Sequence, residues 1–109
     1  MTTKLQRPLA DYFSAVNAHD VAAMSAGFAA DSIVKDEGRE HHGLAAIRKW
    51  MNETIEKYDY RVEPIESSQM GRKTLVLVSI SGAFPGSPIT LQYEFTLQGQ
   101  KIACLEIGG

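Results

Sequence analysis

Asp36 is the residue of this chain best suited to chemistry. It lies in the stretch Ile33-Val34-Lys35-Asp36-Glu37, which reads as a short strand. Strand geometry sends Val34 and Asp36 to one face and Ile33, Lys35 and Glu37 to the other. With Val34 turned inward, Asp36 points into apolar surroundings. A carboxylate there has its pKa raised toward working pH, as a general base needs. The plainer alternative is a hydrogen-bonded carboxylate at a strand end beside Gly38. His41 and His42 follow closely, but as neighbours on extended chain they face opposite ways. Asp36, Glu37, Glu40, His41 and His42 therefore cannot converge on one ion, and no helical histidine spacing exists. No metal is expected. Cys104 has no basic motif beside it that would make it a nucleophile.

The elements that must hold Asp36 follow from periodicity. Leu5, Leu9, Tyr12, Phe13 and Val16 recur at three- and four-residue steps, the stripe of an amphipathic helix with Pro8 in its first turn. Asn17-Ala18-His19 ends it. Asp20 is an N-cap for a second helix from Val21 to about Gly27. After the Asp36 strand and a turn at Gly38 comes a second short extended piece. Gly43 then opens a third helix, about Leu44 to Lys57, with Leu44, Ile47, Trp50, Met51 and Ile55 on its apolar side. Trp50 is either core or pocket wall.

Extended segments fill the rest. Tyr60 to Glu66 alternates, with Pro64 marking an edge or a bulge. Lys73 to Phe84 is strongly apolar. Phe84-Pro85-Gly86-Ser87-Pro88 is a turn, and Ile89 to Leu97 alternates with Ile89, Leu91, Tyr93, Phe95 and Leu97 on one face. Gln98-Gly99-Gln100 turns the chain into a last strand, Lys101 to Ile107. Helices segregated against an antiparallel sheet make an α+β domain. Bends permitted at Pro64, Gly82, Gly86 and Gly99 would curve that sheet into a cone, wrapped on three helices from the N-terminal half, with an internal pocket.

With 109 residues the chain fits one domain, 1–109. Its net charge of −2, well mixed, argues against nucleic acid. The longest apolar runs are strand-sized, so no membrane span is expected. The first residues lack an apolar signal core, and Cys104 has no partner for a disulfide, so a cytoplasmic protein is expected.

From Leu9 to Ile107 the sequence resembles the NTF2-like superfamily, and within it the SnoaL-like proteins. The resemblance is carried by Tyr12-Phe13-Ser14-Ala15-Val16-Asn17-Ala18-His19-Asp20, by Phe28-Ala29-Ala30-Asp31, by Asp36 to Trp50 with Gly43 and Ala46-Ile47-Arg48, and by the Phe95-to-Ile107 hairpin. It implies the cone-shaped fold. It leaves the activity open among isomerases, dehydratases, epoxide hydrolases, polyketide cyclases and non-enzymatic binding proteins. The ketosteroid isomerases, similar in this half, have a Tyr oxyanion donor in a Tyr-x-x-Ala-x-Asn-Ala context and an Asp base on the following strand. Tyr12 and Asp36 stand in those contexts, 24 residues apart as in the isomerases. The isomerases' second acid, on a late strand, is replaced here by Tyr93, or by Leu91 if the register slips.

The resemblance thus implies a small-molecule enzyme without metal or organic cofactor. Asp36 would abstract a proton or activate water, Tyr12 would donate to the developing charge, and His41 or Tyr93 would assist. Val16, Val34, Trp50 and Leu105 would form apolar walls suited to a carbonyl or polycyclic compound. Two alternatives remain open: a module that holds a hydrophobic ligand without chemistry, and an accessory domain with a vestigial pocket. Leu75 and Leu77, diluted by Ser79 and Ser81, suggest that the outer sheet face forms a homodimer.

Overall fold

The computed structural model of the protein describes residues 5–108. Helix α1 (Arg7–Asn17) buries Leu9, Tyr12, Phe13, Ala15 and Val16 on one side. Helix α2 (Val21–Ala26) begins where Asp20 accepts a hydrogen bond from the Ala23 N–H at 3.1 Å. Strand β1 (Phe28–Asp36) and β2 (Arg39–His42) form a hairpin. Helix α3 (Gly43–Tyr58) follows, and then β3 (Arg61–Met70), β4 (Lys73–Ser81), β5 (Ile89–Gln98) and β6 (Lys101–Gly108).

The sheet order is β2-β1-β6-β5-β4-β3. Every pairing is antiparallel except that of β1 with β6, which is parallel; β2, α3 and β3 to β5 lie between these two strands in the chain. The result is an open, curved α+β sheet on three helices. Register shifts between Phe28 and Ile33, between Pro64 and Glu66, and between Thr96 and Leu97 mark the bends. β3 is an edge strand, so Pro64 is tolerated there despite its missing donor.

The first strand starts at Phe28, five residues before the start that alternation predicts. Ser32 explains the difference. Its hydroxyl is buried, accepts from the Ala29 N–H at 2.8 Å and donates to the Ile102 carbonyl at 2.6 Å. A polar side chain thus stands in for ladder bonds, and the strand continues through a break in the apolar pattern. The core lies between the concave face and the helices, with Val34, Val76, Val78, Phe95, Ile102 and Leu105 fully buried. Phe95 is the hub of its aromatic part, with Tyr12, Phe13 and Tyr93 around it at ring-centroid distances of 5.7–6.0 Å.

Candidate functional site

The β1–β2 turn decides which carboxylates face inward. Glu37 (φ 53°) and Gly38 (φ 74°) both adopt left-handed backbone, as a two-residue hairpin of the I′ kind requires. Asp36 is the last residue to obey alternation, and it shares the concave face with Val34. Glu37 does not continue to the outer face as alternation predicts. The turn brings it onto the wall of the same cavity as Asp36.

Gly43 (φ 86°) then starts α3 against the backbone of Ala30. Helical spacing from there presents Trp50 to the hairpin end. The Trp50 indole N–H donates to Asp36 Oδ2 at 3.0 Å, and His41 stacks on the indole with centroids 6.0 Å apart. Burial pushes the Asp36 carboxyl up from its usual value. The Trp50 hydrogen bond acts in the opposite sense and offsets part of that rise.

Together these elements bound a cavity of about 330 Å³, at the small end of the ~300–1,000 Å³ range of ligand pockets. Asp36 and Glu37 supply its acidic wall; Trp50, Tyr58, Tyr60 and Phe84 its aromatic wall. Ile80, Ile89, Leu91 and Ile107 close it with aliphatic surface, and Thr54 adds a hydroxyl. At the mouth the Tyr58 hydroxyl donates to Glu37 Oε2 at 3.1 Å, and its ring meets Phe84 edge-on at 5.9 Å. The loop after β4 is tied down there, because the Ala83 N–H donates to the Tyr58 carbonyl at 2.7 Å.

Tyr60 is fixed from behind. His19 Nε2 lies 2.9 Å from its carbonyl oxygen, and the Asn17 amide makes two bonds to the backbone of Val62, at 2.9 and 2.8 Å. The Asn17-Ala18-His19 segment therefore sets the start of β3 and the place of the Tyr60 side chain. Burial raises the Tyr60 phenol above its usual pKa, a Thr54 hydrogen bond opposes this, and the charge of Asp36 adds to it.

Of the residues expected from the sequence, Asp36 and Trp50 line this cavity. Tyr12 does not. Its ring is packed among Phe13, Phe28 and Phe95, and its buried hydroxyl has no hydrogen-bond partner among the described residues. Burial holds the Tyr12 and Tyr93 phenols well above their usual pKa, with Tyr60 and Asp36 contributing to both. Val16, Val34 and Leu105 are core residues off the cavity wall, and Tyr93 packs on Phe13 and Phe95. Leu91, two residues before Tyr93 on the same strand face, takes the wall position. His41 is not on the wall: its ring lies against Trp50, and its charge is a minor influence that lowers the Asp36 carboxyl pKa. Besides Thr54, Ile80, Ile89 and Ile107, the wall residues that the sequence reading did not single out are Glu37, Tyr58, Tyr60 and Phe84. The Glu-Gly turn and the left-handed Asp59 (φ 44°) between the two tyrosines are the signals that precede them.

Among the described residues no group of three or more His, Cys, Asp or Glu is placed to hold a metal, and no helix is long and apolar enough to cross a membrane.

No curated protein matched the chain. Among solved structures, a protein from Sinorhizobium meliloti assigned as a polyketide cyclase is 44% identical, with a TM-score of 0.91 over 94% of each chain. An epoxide hydrolase/cyclase-like enzyme of pyran ring formation in the polyether salinomycin is 22% identical; the match covers 93% of this chain and 86% of that one, at a TM-score of 0.76. A cystatin-fold protein from Novosphingobium aromaticivorans is 18% identical over 92% of this chain and 93% of its own, at a TM-score of 0.77. The last two likenesses show the fold. The family model of the SnoaL-like domain matches residues 9–104, and the chain belongs to that family.

Proposed function

We propose that the protein is a cofactor-independent enzyme of the SnoaL-like type acting on a small carbonyl compound. The observation that carries this reading is Asp36: a partly desolvated carboxylate on the wall of an otherwise largely apolar cavity, oriented by one indole N–H. Such a group is a general base for a carbon acid or for water. Tyr60 presents the phenol that receives the developing negative charge. Tyr12, the donor expected from the family pattern, acts in this reading as the buried neighbour of Tyr60. The size of the cavity favours a compact ligand over a polycyclic one.

The test is deuterium exchange at carbons next to the carbonyl in a panel of small ketones, followed by NMR. Asp36→Asn is expected to lower the exchange rate by about 100-fold or more. Unchanged exchange in that variant would overturn the reading.

A second reading, a ligand-binding protein without chemistry, is favoured by the position of Tyr12 off the cavity wall. Ligand binding with no exchange in any ketone would select it.

We propose further that two copies pair through the outer sheet face. Leu75 and Leu77 stand there on β4, separated by Glu94 and Gln92 of β5 from β6 and β1, where Cys104 pairs with Ile33. Leu77 is a large apolar side chain left 37% exposed. Sedimentation should give a dimer that Leu77→Glu dissociates; a wild-type monomer at micromolar concentration would remove the claim. The unpaired Cys104 suits a reducing compartment, and the cytoplasm is the setting we propose.

A further inference from the structure

The charges and aromatic rings of the cavity point to a ligand class. Its wall carries two carboxylates, Asp36 and Glu37, and no Lys, Arg or His among the described residues. Asp36 accepts one side-chain hydrogen bond, from Trp50, and makes no ion pair among the described residues. The nearby cations stay off the wall. Arg39 is exposed across the hairpin from Asp36, and His41 stacks on Trp50. Lys57 holds its Nζ 5.0 Å from the centre of the Tyr58 ring and is itself exposed.

A carboxylate removed from water is stable as an anion only with a counter-charge or several donors. Beyond the indole N–H the protein offers Asp36 only the Glu37 backbone N–H and the charge of His41 off the wall, and no Lys or Arg pairs with it among the described residues. Opposite it stand aromatic side chains, the groups that attract weakly hydrated organic cations. Anionic ligands meet two like charges and no compensating cation.

We propose that the cavity takes a compact organic cation, an alkylammonium group, whose positive centre sits against Asp36 among Trp50, Tyr58, Tyr60 and Phe84. This rests on the cavity being the ligand site, and it does not require turnover. The two roles of Asp36 are compatible in a ligand whose ammonium and carbonyl groups flank one carbon, because a carboxylate against the ammonium centre then also lies against the hydrogens of that carbon.

Three probes of one shape test it: choline, the neutral alcohol in which a tert-butyl group replaces the trimethylammonium group, and the carboxylate bearing the same tert-butyl group. Binding is followed by the Trp50 indole N–H and the Asp36 carboxyl resonances. Choline is expected to bind about tenfold tighter than the alcohol, with the carboxylate weakest. Asp36→Asn keeps an acceptor for Trp50. It should reduce choline affinity about tenfold while changing that of the alcohol less than about twofold. Phe84→Leu, at the mouth, should weaken choline more than the alcohol. Equal binding of choline and alcohol overturns the proposal, as does indifference of choline to Asp36→Asn, or no shift of either resonance up to the solubility of choline. Ketone exchange that persists alongside failed choline binding removes this inference and leaves the catalytic reading. Choline binding without exchange in any ketone does the reverse.

Discussion

The Trp50 indole donates to Asp36 Oδ2 at 3.0 Å, so that α3 holds the one carboxylate at the end of β1 from above the hairpin. This bond favours the ionised carboxylate, while burial opposes it more strongly. Removing the donor leaves burial less opposed. Trp50→Phe is therefore expected to raise the Asp36 pKa further, as read by carboxyl-carbon NMR. It should also lower stability by about 1–3 kcal/mol through the lost charged hydrogen bond and the smaller ring. An Asp36 pKa that stays put or falls would show that the indole does not tune the carboxylate.

The same carboxylate sets a pH dependence of stability. Its folded pKa lies above the ordinary 3.8 of the unfolded chain. Between those two values the folded state binds the extra proton, so stability falls as pH rises through that interval and stays lower above it. Below 3.8 both states are protonated and the penalty vanishes. Asp36→Asn removes the titration and keeps an acceptor for Trp50. The variant should melt higher than wild type at neutral pH, and the gain should disappear in acid. A variant that melts lower at neutral pH would mean that Asp36 is stabilised as an anion.

Tyr12 and Tyr60 separate by substitution. A buried hydroxyl without a partner contributes nothing to stability and carries its own desolvation penalty. Tyr12→Phe should therefore leave stability within about 1 kcal/mol of wild type, or raise it. Phe95→Ala at the hub of the same cluster should cost about 3–5 kcal/mol. In ketone exchange Tyr60→Phe should lower the rate by about 100-fold, the usual loss for one oxyanion donor. If Tyr12→Phe shows the larger loss of rate, the donor role returns to Tyr12.

The sequence made the fold legible through periodicity, and half of the site through parity. The stripe from Leu9 to Val16 and the alternation from Ile89 to Leu97 report burial directly, since each side chain either meets the core or does not. Val34 likewise marked the face of Asp36. Parity fails where the backbone leaves the strand, and Glu37 is one residue past that point. Tyr58 and Tyr60 were hidden for a different reason. They flank the left-handed Asp59 at the junction of α3 and β3, so neither the helical nor the strand period relates them. Their common wall is created by long-range bonds from His19 and Asn17. Tyr12 and Tyr93 share the inward face with the wall residues but sit deeper, and depth along a face has no signature in a single sequence.

That junction has a weak point at Gly82. A Cβ there would stand 2.6 Å from the Tyr58 carbonyl oxygen and 3.1 Å from both a Phe84 ring carbon and Tyr60 Cα. Two of these atoms are backbone and cannot yield as a side-chain tip would. Gly82→Ala should cost about 1–3 kcal/mol by overpacking, and the strain should fall on the cavity, because all three neighbours belong to its wall. Choline or ketone binding should weaken together with the melting temperature. Gly108 is the control: a Cβ there meets nothing within 4 Å among the described residues, so Gly108→Ala should stay within about 0.5 kcal/mol of wild type. Destabilisation by Gly82→Ala with unaltered ligand binding would show that the junction supports the fold without shaping the site.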